Sequence, residues 1–278
     1  MIGLDTAKSV FQVHGVDAAG KAVIRRKIRR SDLVAFFEKQ EACMVVMEAC
    51  GAAHHWGRTL TGLGHNVKLI APEAVKPFMK KGKKNDAADA AAICIAAVRP
   101  EVKFVPIKNL AQQGTLALHT ARSLLVKQKT MLANTMRGLA TEFGVTMPKG
   151  IQNVDDLMTQ VAADECLPQE ARQASKELYD HFRAANLCIE ALETKIVHHA
   201  RHDETARRIA TIPGVGPITA SLIVATVADI SAFKSARHFA AWPGLVPRQY
   251  PLAGRLASAG SPRQATRRYA NRWFWGPR

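Results

Sequence analysis

Four carboxylates stand at three places in the first third of the chain: Asp5 in Ile2-Gly3-Leu4-Asp5, Glu48 in Val45-Val46-Met47-Glu48, and Asp86 with Asp89 in Lys84-Asn85-Asp86-Ala87-Ala88-Asp89. The first two end apolar runs and the last two open an alanine-rich one. A strand or a helix would thus deliver each of them to one edge of a sheet. Oxygen donors of this kind hold hard divalent cations, and two such cations ~3.5–4 Å apart clamp the attacking and leaving oxygens of a phosphodiester. Taken singly, each acid reads as a helix cap or a solvent-facing charge. Together, beside Lys-rich flanks, the four point to metal-assisted chemistry on a phosphate.

The whole-chain charge agrees. Lys and Arg number 39 against 23 Asp and Glu, a formal net charge of +16 over 278 residues. Such a balance favours a polyanionic partner, because each neutralised phosphate releases condensed counterions. The length suffices for a sizeable core in one or two domains. Five cysteines, at positions 43, 50, 94, 166 and 188, are widely spaced and mostly in apolar surroundings, which reads as small core hydrophobes in a reducing compartment. None pairs at zinc-ligand spacing, and His54-His55 lacks partners at such spacing. No run resembles a signal peptide or reaches the ~20 apolar residues of a membrane span, so a soluble cytoplasmic protein is expected, with no membrane partner.

The elements that must position the acids follow from periodicity. Ile2 to Val13 reads as a strand that starts at Gly3-Leu4-Asp5 and resumes through Val10-Phe11-Gln12-Val13-His14, with a turn near Ala19-Gly20. Lys21 to Ile28 then alternates apolar and basic residues as a half-exposed strand does. Ser31-Asp32 can cap a helix over Leu33 to Gln40, Cys43 to Met47 reads as a buried strand ended by Glu48, and a helix follows around His54 to Leu63. Asn66 to Ala71 is a further strand. The basic stretch from Lys76 through Lys80, Lys81, Lys83 and Lys84 leads into a helix from Asp86 to Val98, where Asp86 and Asp89 share a face. This order predicts a mixed α/β sheet with acids gathered at one edge.

Beyond it the pattern becomes helical. Gln112 to Phe143 and Val154 to His202 carry apolar residues at three and four spacing, including Leu116, Leu118, Leu124, Leu125, Met131 and Leu132, then Leu178, Phe182, Leu187, Leu192 and Ile196. An antiparallel pair, serving as a packing arm or a dimer interface, is expected, with Pro148 and Gly150 breaking the chain between them. Ile212-Pro213-Gly214-Val215-Gly216-Pro217 fits a helix-hairpin-helix turn, in which Gly214 and Gly216 would present backbone N–H groups to a phosphate; a plain tight turn between helices fits the same residues. A basic, aromatic-studded helix over Phe233 to Trp242, with Lys234 and Arg237, and then Arg248 complete the candidate nucleic-acid contacts.

The blocks Ile2-Gly3-Leu4-Asp5-x-x-Lys8, Met47-Glu48-Ala49-Cys50-Gly51, Lys84-Asn85-Asp86-Ala87-Ala88-Asp89-Ala90, Ile212 to Pro217 and Trp242-Pro243-Gly244-Leu245-Val246-Pro247 resemble, in order and spacing, bacterial insertion-sequence transposases of the "IS-one-ten" family. The resemblance covers residues 1 to about 250 and implies an RNase H-like (RuvC-like) domain over residues 1–108. A helical, coiled-coil-like arm over 109–203 and a mostly α-helical transposase domain over 204–250 would follow. It implies that Asp5, Glu48, Asp86 and Asp89 bind Mg²⁺ or Mn²⁺ and are catalytic. It also implies DNA strand exchange through a circular intermediate, guided in part of the family by an element-encoded bridge RNA, in a homo-oligomer with composite sites.

In that family a serine of a Ser-x-Gly-Gly-Lys-like segment joins to DNA. Here the position reads Tyr250-Pro251-Leu252-Ala253-Gly254-Arg255, and no nucleophilic serine is found. Beyond Lys234 no Lys occurs and beyond Asp229 no acid, while Arg accumulates to Arg278. Residues 251–278 read as a frameshifted tail, or else as a basic nucleic-acid tail. Ser258 and Ser261, in an Arg/Ala/Pro/Gly stretch without a fixed base, are poor substitutes. The resemblance therefore predicts a degenerate transposase. The alternatives are a non-catalytic DNA- or RNA-binding protein and a RuvC-like structure-selective nuclease.

Overall fold

In a computed structural model the chain is described over residues 1–79, 86–227 and 229–241, without the side chains of Asp86, Ala87 and Ala232. It divides into two compact units between Leu110 and Ala111.

The first unit is built on a six-stranded sheet. Strands β1 (Ile2–Thr6), β2 (Val10–Val16) and β3 (Ala22–Arg29) form a meander, with β1–β2 and β2–β3 antiparallel. Helix α1 (Leu33–Glu38) leads to β4 (Met44–Glu48), α2 (Ala53–Gly62) to β5 (Asn66–Ile70), and the short α3 (Pro72–Val75) to α4 (Asp86–Ala97). A two-residue strand β6 (Phe104–Val105), not foreseen from the sequence, adds an antiparallel edge. The order is β3-β2-β1-β4-β5-β6, with β1, β4 and β5 mutually parallel in the middle. This is the mixed sheet of the RNase H-like fold.

Burial explains the composition of the strands. β4 is a near-continuous apolar run because helices cover both of its faces, while β5 is buried at Val67, Leu69 and Ile70 and keeps Asn66 and Lys68 toward solvent. On one face Leu4, Phe11, Val13, Val45, Met47 and Leu69 pack against Leu33, Phe37, Trp56 and Leu60 of α1 and α2. On the other, Val46 and Ile70 pack against Ala92, Ile93 and Ala96 of α4. β2 needs one buried face only, and its burial alternates accordingly.

Two local expectations are corrected. Asp32 precedes α1 without a side-chain cap, since the Ser31 hydroxyl donates to the Asp32 carboxylate at 2.6 Å and the pair satisfies itself. Of the cysteines, Cys94 is buried and Cys43 half-buried, whereas Cys50, Cys166 and Cys188 are exposed. Cys188 adjoins the buried Ile189 in a helix, and consecutive helical positions point to different sides.

The second unit is helical. α5 (Leu110–Glu142), α6 (Val154–Ala163) and α7 (Gln169–His202) follow one another. A single helix over 154–202 was the expectation, but residues 164–168 interrupt it: Pro168 stands at the N-cap of α7, and a proline disfavours helical geometry in the residue before it. The α7 seam of Ser175, Phe182, Ala185, Ile189 and Ile196 recurs with coiled-coil spacing, leaving Leu187 exposed. Leu124 and Met131 of α5 are likewise exposed, and the α5 seam is His119, Ala133, Met136 and Ala140. Arg122 bonds Glu193 at 2.8 Å and Lys129 bonds Asn186, so α5 and α7 run antiparallel. Helices α8 (Glu204–Ala210), α9 (Pro217–Thr226) and α10 (Ala236–Ala241) complete the unit.

Candidate functional site

Asp5 and Glu48 come together at the carboxyl edge of the parallel strands. Gly3 pairs with Val46 and Leu4 with Met47, so Asp5 and Glu48 come next on neighbouring strands at the same level. Glu48 is itself opposite Ile70, the last residue of β5. Positions two apart on a strand share a face. Asp5 therefore shares the face of Gly3, and Glu48 that of Val46, which is the face α4 covers.

Helix α4 can come that close because β1 has no side chain at the crossing. A Cβ on Gly3 would stand 2.5 Å from the Ala90 carbonyl oxygen and 2.6 Å from the Cys94 sulfur. The Cys94 thiol donates to the His14 carbonyl at 3.3 Å, holding the same crossing. Asp89 precedes Ala90 and Asp86 lies one turn before it, so the helix opens over the strand ends that carry Asp5 and Glu48.

Electrostatics shows the crowding. Burial holds the Glu48 carboxyl above its usual range, the Asp5, Asp89 and Glu73 carboxylates raise it further, and among the described residues Lys76 opposes them. Glu73 was missed from the sequence, and Lys76 was read there only as the start of a basic stretch. The available signal was Ala71-Pro72-Glu73: Pro at the first helical position after β5 puts Glu73 in the first turn of α3, at the same edge. The Thr6 hydroxyl lies 3.0 Å from the Cys50 sulfur beside this edge, and although Cys50 as a residue is exposed, partial desolvation of its thiol first, with Glu48 and Asp5 adding, pushes that thiol up. Ala52, at φ +71, turns the chain from β4 into α2 in a left-handed conformation that costs a non-glycine residue ~1–2 kcal/mol.

The donor set is all oxygen and suits a hard divalent cation. The expected pocket of four is nonetheless assembled only in part. Asp5, Glu48 and Asp89 interact, the Asp86 side chain lies outside the described residues, and no group of three or more His, Cys, Asp or Glu side chains among those described is arranged to hold a metal.

His54 has partners of another kind. Its Nδ1 accepts from the Lys108 amide at 3.2 Å and its Nε2 lies 3.4 Å from the Lys108 amine, while Arg58 donates to the Lys108 carbonyl at 2.6 Å. Burial, with Lys108 and Arg58, lowers His54 to about 4.

In the second unit α8 and α9 flank the expected turn. Gly214 adopts φ +83 and Gly216 is the N-cap of α9 with no side-chain cap bond; both are exposed, and the turn is closed by Val215 N–H to Ile212 O at 3.0 Å. Val215 packs with Ala206 and Ala220, fixing the two helices on each other. Lys234 and Arg237 are exposed at the start of α10. Lys80, Lys81, Lys83, Lys84 and Arg248, and the tail from Tyr250, lie outside the described residues.

Comparison with known proteins covers both units. The "Transposase IS116/IS110/IS902 family" profile matches residues 206–276, and the DEDD transposase profile of IS110-type elements matches residues 2–144. The chain is 46% identical over 255 residues to the "Putative transposase y4pF/y4sB" of Sinorhizobium fredii, covering 92% of this chain and 66% of that protein. It is 45% identical over 256 residues to the "Probable family 20 transposase" of Pseudomonas aeruginosa, covering 91% and 75% of the two. It is 39% identical over 260 residues to the "Transposase for insertion sequence element IS1328" of Yersinia enterocolitica, covering 94% and 77%.

Proposed function

From the premise that this chain belongs to the IS116/IS110/IS902 family of transposases, we propose that it acts on the DNA of an insertion sequence through a divalent-cation site at the sheet edge. The observation that carries this is the placement of Asp5 and Glu48 level with each other on adjacent strand ends, with Asp89 and Glu73 acting on Glu48. Asp5, Glu48, Asp89 and, by its place one turn before Ala90, Asp86 are the residues that would hold Mg²⁺ or Mn²⁺. A bound pair of such ions polarises a phosphodiester and stabilises the charge that develops on it.

The chain's own groups supply position. Gly3 and Cys94 fix α4 over β1, so that the carboxylates are held by packed elements rather than loops. The exposed turn at Gly214 and Gly216 offers backbone N–H groups to a phosphate, and Lys80, Lys81, Lys83, Lys84, Lys234, Arg237 and Arg248 add cationic contacts. Residues 1–108 are assigned to the catalytic domain, 109–203 to the arm and 204–250 to the transposase domain. A guide RNA and a homo-oligomer with composite sites belong to the same reading, supported by the family resemblance and the net charge.

The absence of a Ser-x-Gly-Gly-Lys segment after Gln249 supports a copy that has lost strand transfer, although the family profile extends to residue 276. The test is incubation of the full chain with supercoiled DNA carrying the element's ends and the element's own transcript, with Mg²⁺ or Mn²⁺. Binding without a joined product is expected here, with joining restored when the adjacent reading frame replaces residues 251–278. Joining by the chain as it stands overturns the degeneracy. A restored protein that joins DNA equally well after Asp5→Asn overturns the metal site.

A further inference from the structure

The edge strand β3 carries Arg25, Arg26, Lys27 and Arg29, all exposed, in eight residues that include no acid. Among the described residues no ion pair is seen between these four cations and a carboxylate. Edge strands commonly carry charge to block further pairing. Register gives these cations a second property.

Residues directly opposite on antiparallel strands share a face. Asp5 is opposite Gln12 and Gln12 opposite Lys27; Gly3 is opposite His14 and His14 opposite Arg25; Val10 is opposite Arg29. Lys27, Arg25 and Arg29 therefore stand on the face of Asp5 and Glu48, which α4 partly covers. Ile24 and Ile28 turn inward to the other face, and Arg26 goes with them. At ~4.8 Å per strand, Lys27 lies about 10 Å across the sheet from Asp5 in one row, Glu48–Asp5–Gln12–Lys27. A shallow groove of about 130 Å³ at this edge is lined by Gln12, Val13, His14, Arg25, Arg26 and Lys27, of which Val13 and Arg26 belong by register to the other face. Burial first, and then the Arg25 charge opposite it, lowers His14, so the ring tends to stay neutral while Arg25 and Lys27 make the groove cationic.

We propose that Arg25, Lys27 and Arg29 form a comb that grips the phosphate backbone of the DNA strand presented to the acids. The cations repeat every second residue, about 6.6 Å apart. Gln12, between comb and acids, can bond sugar or phosphate without adding charge. The placement answers a problem the acids create, since carboxylates repel the polyanion they must process and flanking cations offset that repulsion. This inference rests on the proposed action on DNA, and it names the surface that positions the strand.

The experiment measures binding of a short labelled DNA duplex by the full chain against salt concentration, with an RNA hairpin as the second arm. R25A/K27A/R29A should weaken DNA binding about tenfold or more at physiological salt and lower the salt slope by about 2–3, near one per phosphate contact. R25K/R29K should keep the slope, and R26A, on the opposite face, should change it by less than one contact's worth. Should the triple variant fail to fold, K27E alone should lower both affinity and slope. An unchanged DNA slope in the triple variant, or in K27E, overturns the comb, as does a loss confined to the RNA arm or an R26A effect as large as that of K27E. Asp5→Asn in the frame-restored protein separates the two readings: normal DNA binding with no effect on joining removes the metal site and leaves the comb, whereas a wild-type chain that binds no DNA removes both.

Discussion

Gly3 and Ala90 set the distance between sheet and helix at the acidic edge, for a Cβ on Gly3 would fall 2.5 Å from the Ala90 carbonyl oxygen. Real contacts of that kind do not occur, so any larger residue must push α4 away. Gly3→Ala should cost about 1–3 kcal/mol in stability, the range of overpacking in a tight core. It should also carry Asp89 away from Asp5 and Glu48. Denaturant unfolding and Mn²⁺ titration of the same variant check both effects. A variant with unchanged cation affinity would show that α4 does not set the site.

Glu48 makes cation affinity pH-dependent. Its carboxyl is raised by burial first and then by Asp5, Asp89 and Glu73, and a carboxylate must be ionised to bind a cation. Affinity for Mg²⁺ or Mn²⁺ should therefore begin to fall, on acidification, above the usual carboxylate range. Glu73→Gln, which removes one repelling charge, should move that onset to lower pH. Without a cation the sign for stability is opposite. A folded-state value above the unfolded one favours folding at low pH, and that contribution is lost as pH rises through the folded value. Calorimetric titration across pH, with and without cation, tests the pair of signs.

His119 and Ser221 join α5 to α9 inside the second unit. The His119 Nε2 lies 3.1 Å from the Ser221 hydroxyl, and both residues are buried. Ser221→Ala strands a buried ring nitrogen and should cost about 1–3 kcal/mol. Glu193→Ala, which breaks a half-exposed ion pair with Arg122, should cost less than about 1 kcal/mol. Equal losses in the two variants would refute the ranking.

Acid should loosen the second unit through the same histidine. Burial, then Arg122, lowers His119 to about 4 from an ordinary 6.5. A lowered histidine favours folding while it is neutral, so its contribution is complete above pH 6.5 and is lost as pH falls toward 4. Linkage puts the loss on the order of 2 kcal/mol between about pH 7 and pH 5. Thermal melts of wild type and His119→Gln across this range should diverge at neutral pH and converge in acid. Parallel curves would count against the assignment.

Much of the first unit was legible because its signals are local. Apolar runs ending in Asp5 and Glu48 announce strands with acids at their tips, and the alanine-rich run from Asp86 announces a helix. Glu73 escaped because an exposed acid in a short helix looks like a solvated charge until β5 is known to end beside β4. The break at residues 164–168 was readable from Pro168 but was masked by apolar spacing that continues on both sides of it. Cys166 is exposed because it falls in that break, and the exposure of Cys188 depends on which side of α7 faces its neighbour, which sequence spacing alone left open.

By itself, the sequence determined the kinds of element, the family, the cationic excess and the acids available for chemistry. These are properties of residue type and short-range periodicity. Only the tertiary structure decided which groups meet. Strand register put Lys27 in line with Gln12 and Asp5, and the bare Gly3 brought α4 down onto β1. Pairings of that sort join residues far apart in the chain, and a one-residue slip in register would move every side chain of β3 to the other face.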